Sequence, residues 1–172
     1  MAIESKFVDR EDLAKLRERN KYKTIVFSSG CYDLFHSGHV VYFNLCRQFG
    51  DILVVGVARD STMGVIKGKE RPINAQKNRM YVVAGIGDVD YVVSNDETIP
   101  GTRFDYFELV GDLRPDVFVI NENDPGLQRM HERCAELGIR VENMERKHPD
   151  YLESVSSKGI IEKIVERYGA KK

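Results

Sequence analysis

Apolar residues along this chain occur in two patterns. Short, nearly continuous runs bounded by small or polar residues alternate with longer stretches in which apolar positions recur every three or four residues. The first pattern marks strands buried on both faces, and the second marks helices packed on a sheet. The runs TIVFSSG (24–30), DILVVGVA (51–58), VDYVVS (89–94), DVFVI (116–120) and IRVENM (139–144) read as strands. Between and after them, helices are predicted from Gly38 to Gly50 with Ser37 as N-cap, then over 73–86, over 102–113, over 126–138 with Gly138 as C-cap, and over 156–169. Pro115 stops the helix before the fourth strand. A shorter helix over 9–19, with Leu13 and Leu16 as its apolar positions, precedes the first strand and is expected on the outside of the domain. Strands alternating with helices predict an α/β fold, a doubly wound five-stranded parallel sheet with right-handed crossovers.

Length and composition narrow this picture. A chain of 172 residues without repeats, linker or low-complexity tract reads as one domain, 1–172, with its core over 24–168. The 42% hydrophobic and 31% charged content belongs to a globular chain and excludes disorder. With 26 basic and 27 acidic side chains, the net charge of -1 offers no electrostatic footprint for nucleic acid, while local recognition of a small anion stays open. Cys31, Cys46 and Cys134 are widely spaced and form no CxxC pair, so they imply reduced thiols rather than a zinc ribbon or disulfide framework. The charged N-terminus is unlike a signal peptide, and no apolar run reaches membrane-spanning length. The expectation is a cytoplasmic protein without a membrane partner.

In a doubly wound sheet, ligands bind beyond the carboxyl ends of the strands, where the strand order reverses. The first loop at that edge is SSGCYDLFHSGH, residues 28–39. Gly30 lets the backbone turn and approach a ligand, and Gly38 does the same at the helix start, where free N–H groups favour an anion. His36 and His39, three residues apart, can aim at one phosphate group, and Asp33 could hold a hydroxyl, orient a histidine or reach a metal. A lone histidine in such a turn is more often structural, and HxxH alone also suits a metal pair. No third ligand lies nearby in the sequence, so no metal site is assigned. Two histidines, two glycines and a carboxylate at the end of the first strand together point to phosphate chemistry. A dinucleotide-dependent oxidoreductase would need GxGxxG here, which SSGCYD lacks.

GCYDLFHSGH resembles the GxFDxxHxGH signature of the cytidylyltransferase-like nucleotidyltransferases, with Tyr32 where phenylalanine is usual. The likeness runs over about residues 24–165. It implies a Rossmann-like enzyme that joins a nucleoside triphosphate to a phosphorylated small molecule and releases pyrophosphate. It also implies Mg2+ with the triphosphate, and a homodimer. Carried onto this chain, it assigns Ser29, Gly30, Cys31, Tyr32, His36, Gly38 and His39 to the nucleotide, with His36, His39 and Lys67 catalytic and Asp33 and Lys67 toward the acceptor.

Three later segments extend the resemblance. In IKGKERPINAQKNRM, Lys67 and Arg79 take the places of a lysine on a short loop and an arginine on the next helix, with Lys69 a weaker candidate. Gly64 and Gly68 suggest that Lys67 sits on a mobile loop able to close over a triphosphate, although a solvated basic loop would look the same. In VINENDPG only Asp124 matches the family's Gly-Asp type of loop, with Asn121 beside it; such a turn also suits a structural entry into a helix. In YLESVSSKGIIEKI, Ser156 and Ser157 stand in the family's serine/threonine places, while Tyr151 and Ser154 replace an arginine and a glycine. Ser156 also reads as a helix N-cap, a role compatible with phosphate contact.

The stretches GKERPINAQKNRM, VDYVV, DET and LRPDV are similar to the adenylyltransferase domain acting on heptose 1-phosphate. That subgroup implies ATP and a sugar phosphate acceptor. CTP with glycerol phosphate or another alcohol phosphate is the alternative, since VINEND stands where the subgroup carries a lysine and paired glycines. A reading of another class is a non-catalytic nucleotide-binding regulatory module.

Overall fold

A computed structural model describes residues 2–94, 106–124, 127–145 and 148–169. Five parallel strands form one sheet: β1 (Ile25–Gly30), β2 (Ile52–Val57), β3 (Tyr91–Ser94), β4 (Val117–Asn121) and β5 (Arg140–Met144), in the order β3-β2-β1-β4-β5. The chain winds outward from β1 to β3 on one side and from β4 to β5 on the other. The order therefore reverses between β1 and β4, and a crevice opens beyond their carboxyl ends. The predicted doubly wound sheet is the observed one.

Helices α1 (Leu13–Arg19), α2 (Ser37–Arg47), α3 (Asp60–Lys67), α4 (Gln76–Ala84), α5 (Phe107–Leu113), α6 (Leu127–Leu137) and α7 (Ser157–Tyr168) complete the described elements, with short 3-10 turns at Ile3–Lys6 and Arg10–Asp12. Successive strand residues point to opposite faces and feed separate cores. Phe27 and Phe118 pack with Leu13, Leu109, Leu113 and Met130 on one face. Val26, Leu53, Val55 and Val119 pack with Phe43, Cys46 and Val83 on the other. Each large side chain so buried stabilises by about 2–3 kcal/mol. Every residue of β2 is buried, while the edge strand β5 has none buried, which fits their central and outer places.

Several boundaries depart from expectation, each for a local reason. Helix α1 is not merely external: Leu13 and Leu16 are buried against α5, and Arg10 bridges to Asp112 at 2.7 Å and to Glu108. Helix α2 begins at Ser37 with His36 in the N-cap position, one residue earlier than predicted, and ends at Arg47 rather than Gly50. Gly50 serves a different purpose, since a Cβ there would lie 2.7 Å from the Thr24 carbonyl oxygen. The segment expected as a mobile glycine-flanked loop is helix α3, seated by buried Thr62 and Met63. Gly64 inside it costs about 1 kcal/mol of helix propensity and interrupts the apolar pattern, which hid the helix. Gly138 ends α6 as predicted, at φ +69°. The stretch DET (96–98), residues 102–105 of the predicted helix, Pro125 and Gly126 lie outside the described residues. Among the described residues, no helix is long and apolar enough to cross a membrane.

Candidate active site

The loop leaving β1 folds back on itself at Tyr32, which sits in the left-handed region at φ +52°. That turn drives the tyrosine ring inward beneath Gly30, where a Cβ would meet the ring at 2.7 Å. Gly30 is thus required for close approach, but to Tyr32 rather than to a ligand. The ring is buried against Phe43, with centroids 5.1 Å apart, so the Tyr32 side chain is structural and not the nucleotide contact expected of it.

Asp33 is corrected in the same way. Its buried carboxylate accepts from Arg71 Nε at 2.6 Å, from the Ile73 N–H at 3.0 Å and from the Asn74 N–H at 2.8 Å, while the Asn74 side chain donates to its carbonyl at 2.8 Å. It anchors residues 71–74 and holds no acceptor hydroxyl. Burial alone would push its pKa up, yet the N–H groups of Asn74 and Ile73 and the Arg71 guanidinium reverse this and hold it below the usual value. A depressed carboxylate adds stability that is complete above its unfolded value of about 3.9 and lost as pH falls through the lower folded one. Urea unfolding followed from pH 6 to below pH 3 is expected to show this loss. Asp33→Asn will start less stable and fall less steeply over that acid range.

Beyond Asp33 the chain enters α2, and the two histidines come together. Their rings stack with centroids 3.9 Å apart, and Phe35 lies nearly parallel to His39 at 5.1 Å. Tyr32 presents its edge to the His39 ring at 5.4 Å. The backbone N–H of His36 donates to Nδ1 of His39 at 3.3 Å, closing a capping box that satisfies one of the helix's free donors. With Nδ1 accepting, a neutral His39 ring carries its proton on Nε2, which makes that nitrogen a donor. Gly38 keeps this turn open: a Cβ there would lie 3.1 Å from the His36 ring and 3.8 Å from the Val155 carbonyl oxygen.

That last proximity brings the start of α7 beside the start of α2. Ser157 Oγ donates to the Leu34 carbonyl at 3.4 Å, and Ser156 caps α7 by accepting the Gly159 N–H at 3.1 Å. Two helix N-termini with their partial positive charge therefore flank the loop after β1. Below them the crevice is pinned by Ser28 and Tyr42, which share the Val119 carbonyl of β4 at 3.0 and 3.2 Å. Ser29 and Cys31 lie on this rim, partly buried. On the far side of the crevice Asn121 ends β4; its Oδ1 accepts the Asn123 N–H at 3.0 Å, and the Asp124 N–H returns to its carbonyl at 2.9 Å. Asn121 and Asp124 thus build a turn into α6 at the right edge of the sheet.

The two basic residues named from the sequence part company. Arg79 is fully buried. Its Nε donates to the Asn74 carbonyl at 2.9 Å, one terminal nitrogen donates to the Cys31 carbonyl, and the other to the Ala58 carbonyl at 2.6 Å and Asp60 at 2.8 Å. It is an internal clasp joining the ends of β1 and β2 to α3 and α4, and does not present itself to a nucleotide. Lys67 ends α3 and is exposed. Its charge, with those of Arg79 and Arg71, acts on the Cys31 thiol, so Lys67 does stand near the loop after β1. Burial raises the Cys31 pKa despite these cations, and burial pushes Cys46 up to about 12 and Cys134 up to about 11. All three are protonated thiols unsuited to nucleophilic attack. Sequence reasoning missed Asn74, Gln76 and Asp60 as builders of this rim; Gln76 bridges the Val57 carbonyl at 3.1 Å and Ser94 Oγ at 2.7 Å. Asn74 and Gln76 fall inside the helix predicted over 73–86, which begins only at Gln76, and Asp60 just follows the second strand, so no local signal set them apart.

A paired-histidine helix start at the β1/β4 switch point, flanked by a second helix start and by exposed positive charge, defines a nucleotidyltransferase-type site. The chain belongs to the cytidylyltransferase-like family, whose profile matches residues 27–163. It is 37% identical over 162 residues to the bifunctional protein HldE of Helicobacter hepaticus, covering 94% of this chain and 31% of that protein. It is 36% identical to HldE of Syntrophotalea carbinolica over 98% of this chain and 33% of the relative. The chain thus spans about a third of these relatives. Among solved structures, a lipopolysaccharide core biosynthesis protein from Thermoplasma volcanium matches at TM-score 0.59 and 25% identity, over 74% of this chain and 99% of that one. Pantoate-beta-alanine ligase from Francisella tularensis, 15% identical at TM-score 0.62 over 93% and 77% of the two chains, shares the fold.

Proposed function

We propose that this domain transfers the adenylyl group of ATP to a sugar phosphate and releases pyrophosphate. The stacked imidazole pair of His36 and His39 at the start of α2, in the crevice between β1 and β4, is the observation that carries the reading. The HldE relatives, the Thermoplasma volcanium neighbour and the likeness of GKERPINAQKNRM to the heptose 1-phosphate adenylyltransferases support a sugar phosphate acceptor. Free thiols at Cys31, Cys46 and Cys134 support a reducing, cytoplasmic setting.

The chemistry needs no protein nucleophile. A phosphate oxygen of the acceptor attacks the α-phosphorus in line, the bond to the bridging oxygen breaks, and pyrophosphate departs with that electron pair. The protein positions the partners and supplies donors where negative charge builds. Nε2 of His39 and the His36 ring face that charge together with the free N–H groups of α2, and Lys67 neutralises the triphosphate. Ser156 and Ser157 set the second helix start against the nucleotide's phosphates. Among the described residues no cluster of three His, Cys, Asp or Glu side chains could hold a metal, and magnesium enters as part of the Mg–ATP substrate.

Pyrophosphate release measured with ATP and CTP against sugar 1-phosphates and glycerol phosphate tests the assignment. Turnover is expected with ATP and a sugar 1-phosphate. Turnover with CTP and glycerol phosphate alone would replace the substrates, and nucleotide binding without any turnover would favour a regulatory module. Ser156 provides an independent check. Ser156→Ala is expected to cost about 1 kcal/mol through the lost cap. Ser156→Asp restores the cap but sets a negative charge against phosphate, so melting temperature will recover while the KM for nucleotide rises.

A further inference from the structure

We propose that Arg71, held by Asp33, is the arginine that grips a substrate phosphoryl group, the role the sequence had offered to Arg79. The assignment rests on the phosphate-transfer reading above. Asp33 is buried and committed to the Ile73 and Asn74 N–H groups, and it takes Arg71 through Nε alone, at 2.6 Å. Among the described residues, neither terminal nitrogen of Arg71 has a hydrogen-bond partner, although the side chain is only 16% exposed. The stem of this guanidinium is held while its outer fork, unpaired within the described protein and reaching solvent, can donate to an incoming anion. Arg79 differs on both counts: none of its side chain is exposed, and all three of its nitrogens donate to protein acceptors.

Position agrees with this. Arg71 and Lys67 act, with the internally committed Arg79, on the thiol of Cys31, the first residue after β1. Of the three cations near the loop that carries the histidines, these two are not wholly taken up by protein acceptors. A carboxylate fixing Nε while the two terminal nitrogens stay unpaired among the described residues preorganises the fork for two oxygens of one phosphoryl group. The ligand is a phosphate monoester or a polyphosphate chain, and the acceptor and the triphosphate both offer one.

Arg71→Lys separates the phosphate grip from the fold. A lysine ammonium can still pair with Asp33, but it cannot also offer a fork. Calorimetric titration with tripolyphosphate and with glucose 1-phosphate, on wild type and variant, is the direct measurement. The variant is expected to melt near wild type and to lose roughly 10- to 100-fold affinity for one probe, the scale of charged hydrogen bonds. The probe that loses affinity identifies the source of the phosphate. Equal affinity of both proteins for both probes, or no binding of either probe by wild type, would overturn the proposal. Butanedione labelling of wild-type protein, mapped by peptide mass, removes dependence on the variant's folding. A saturating probe should protect Arg71, and unchanged labelling would refute the assignment. Arg71-dependent binding without nucleotidyl transfer would retire the transferase reading and leave this site standing.

Discussion

His39→Asn will lower turnover by about 10²–10³-fold, the scale for removing one preorganised donor to a transition state. Asparagine is the informative replacement because its side-chain oxygen can still accept the His36 N–H that closes the start of α2. The helix cap is kept and the Nε2 donor is lost. Melting temperature should therefore stay near that of wild type, and the loss should fall on kcat more than on KM, since the donor matters most where charge develops. His36→Ala should lose a similar factor. The two losses should not add in the double variant, because the rings stack at 3.9 Å and act on one developing charge. Near-normal turnover in the double variant would remove the imidazoles from the mechanism.

Arg79→Met will show the opposite profile. The substitution keeps much of the volume and abolishes a clasp on three carbonyls and Asp60. Leaving those buried acceptors unsatisfied is expected to cost about 3–5 kcal/mol. For a domain of this size, that lowers the melting temperature by roughly 10 °C. Activity measured well below the transition should suffer far less than in the histidine variants. An Arg79→Met protein with an unchanged melting temperature and lost ATP binding would restore Arg79 to the nucleotide.

The contrast between His39 and Arg79 shows how legible each part of the site was. The histidine pair could be found because its chemistry is local. Residues three apart across a helix start must be neighbours, and a helix start at the end of a buried strand must face the ligand edge of the sheet. Arg79 was nominated for its charge, but whether an arginine faces solvent or core depends on which carbonyls end near it. Those of Cys31, Ala58 and Asn74 come from separate parts of the chain. Asp33 was misread for the same reason, since its partners Arg71, Ile73 and Asn74 lie some forty residues on.

By itself, the sequence determined the strands, most helices, the parallel doubly wound order and the position of the loop that carries the histidine pair. Buried parallel strands must be continuously apolar, packed helices must be periodic, and glycines and caps mark their ends, all within a few neighbouring residues. Only the tertiary structure decided that α3 is a helix rather than a loop, that Gly50 makes room for Thr24, that Tyr32 packs inward, and which arginine is left open. Each of those outcomes depends on contact between segments distant in the chain, where burial and hydrogen-bond satisfaction override local propensity.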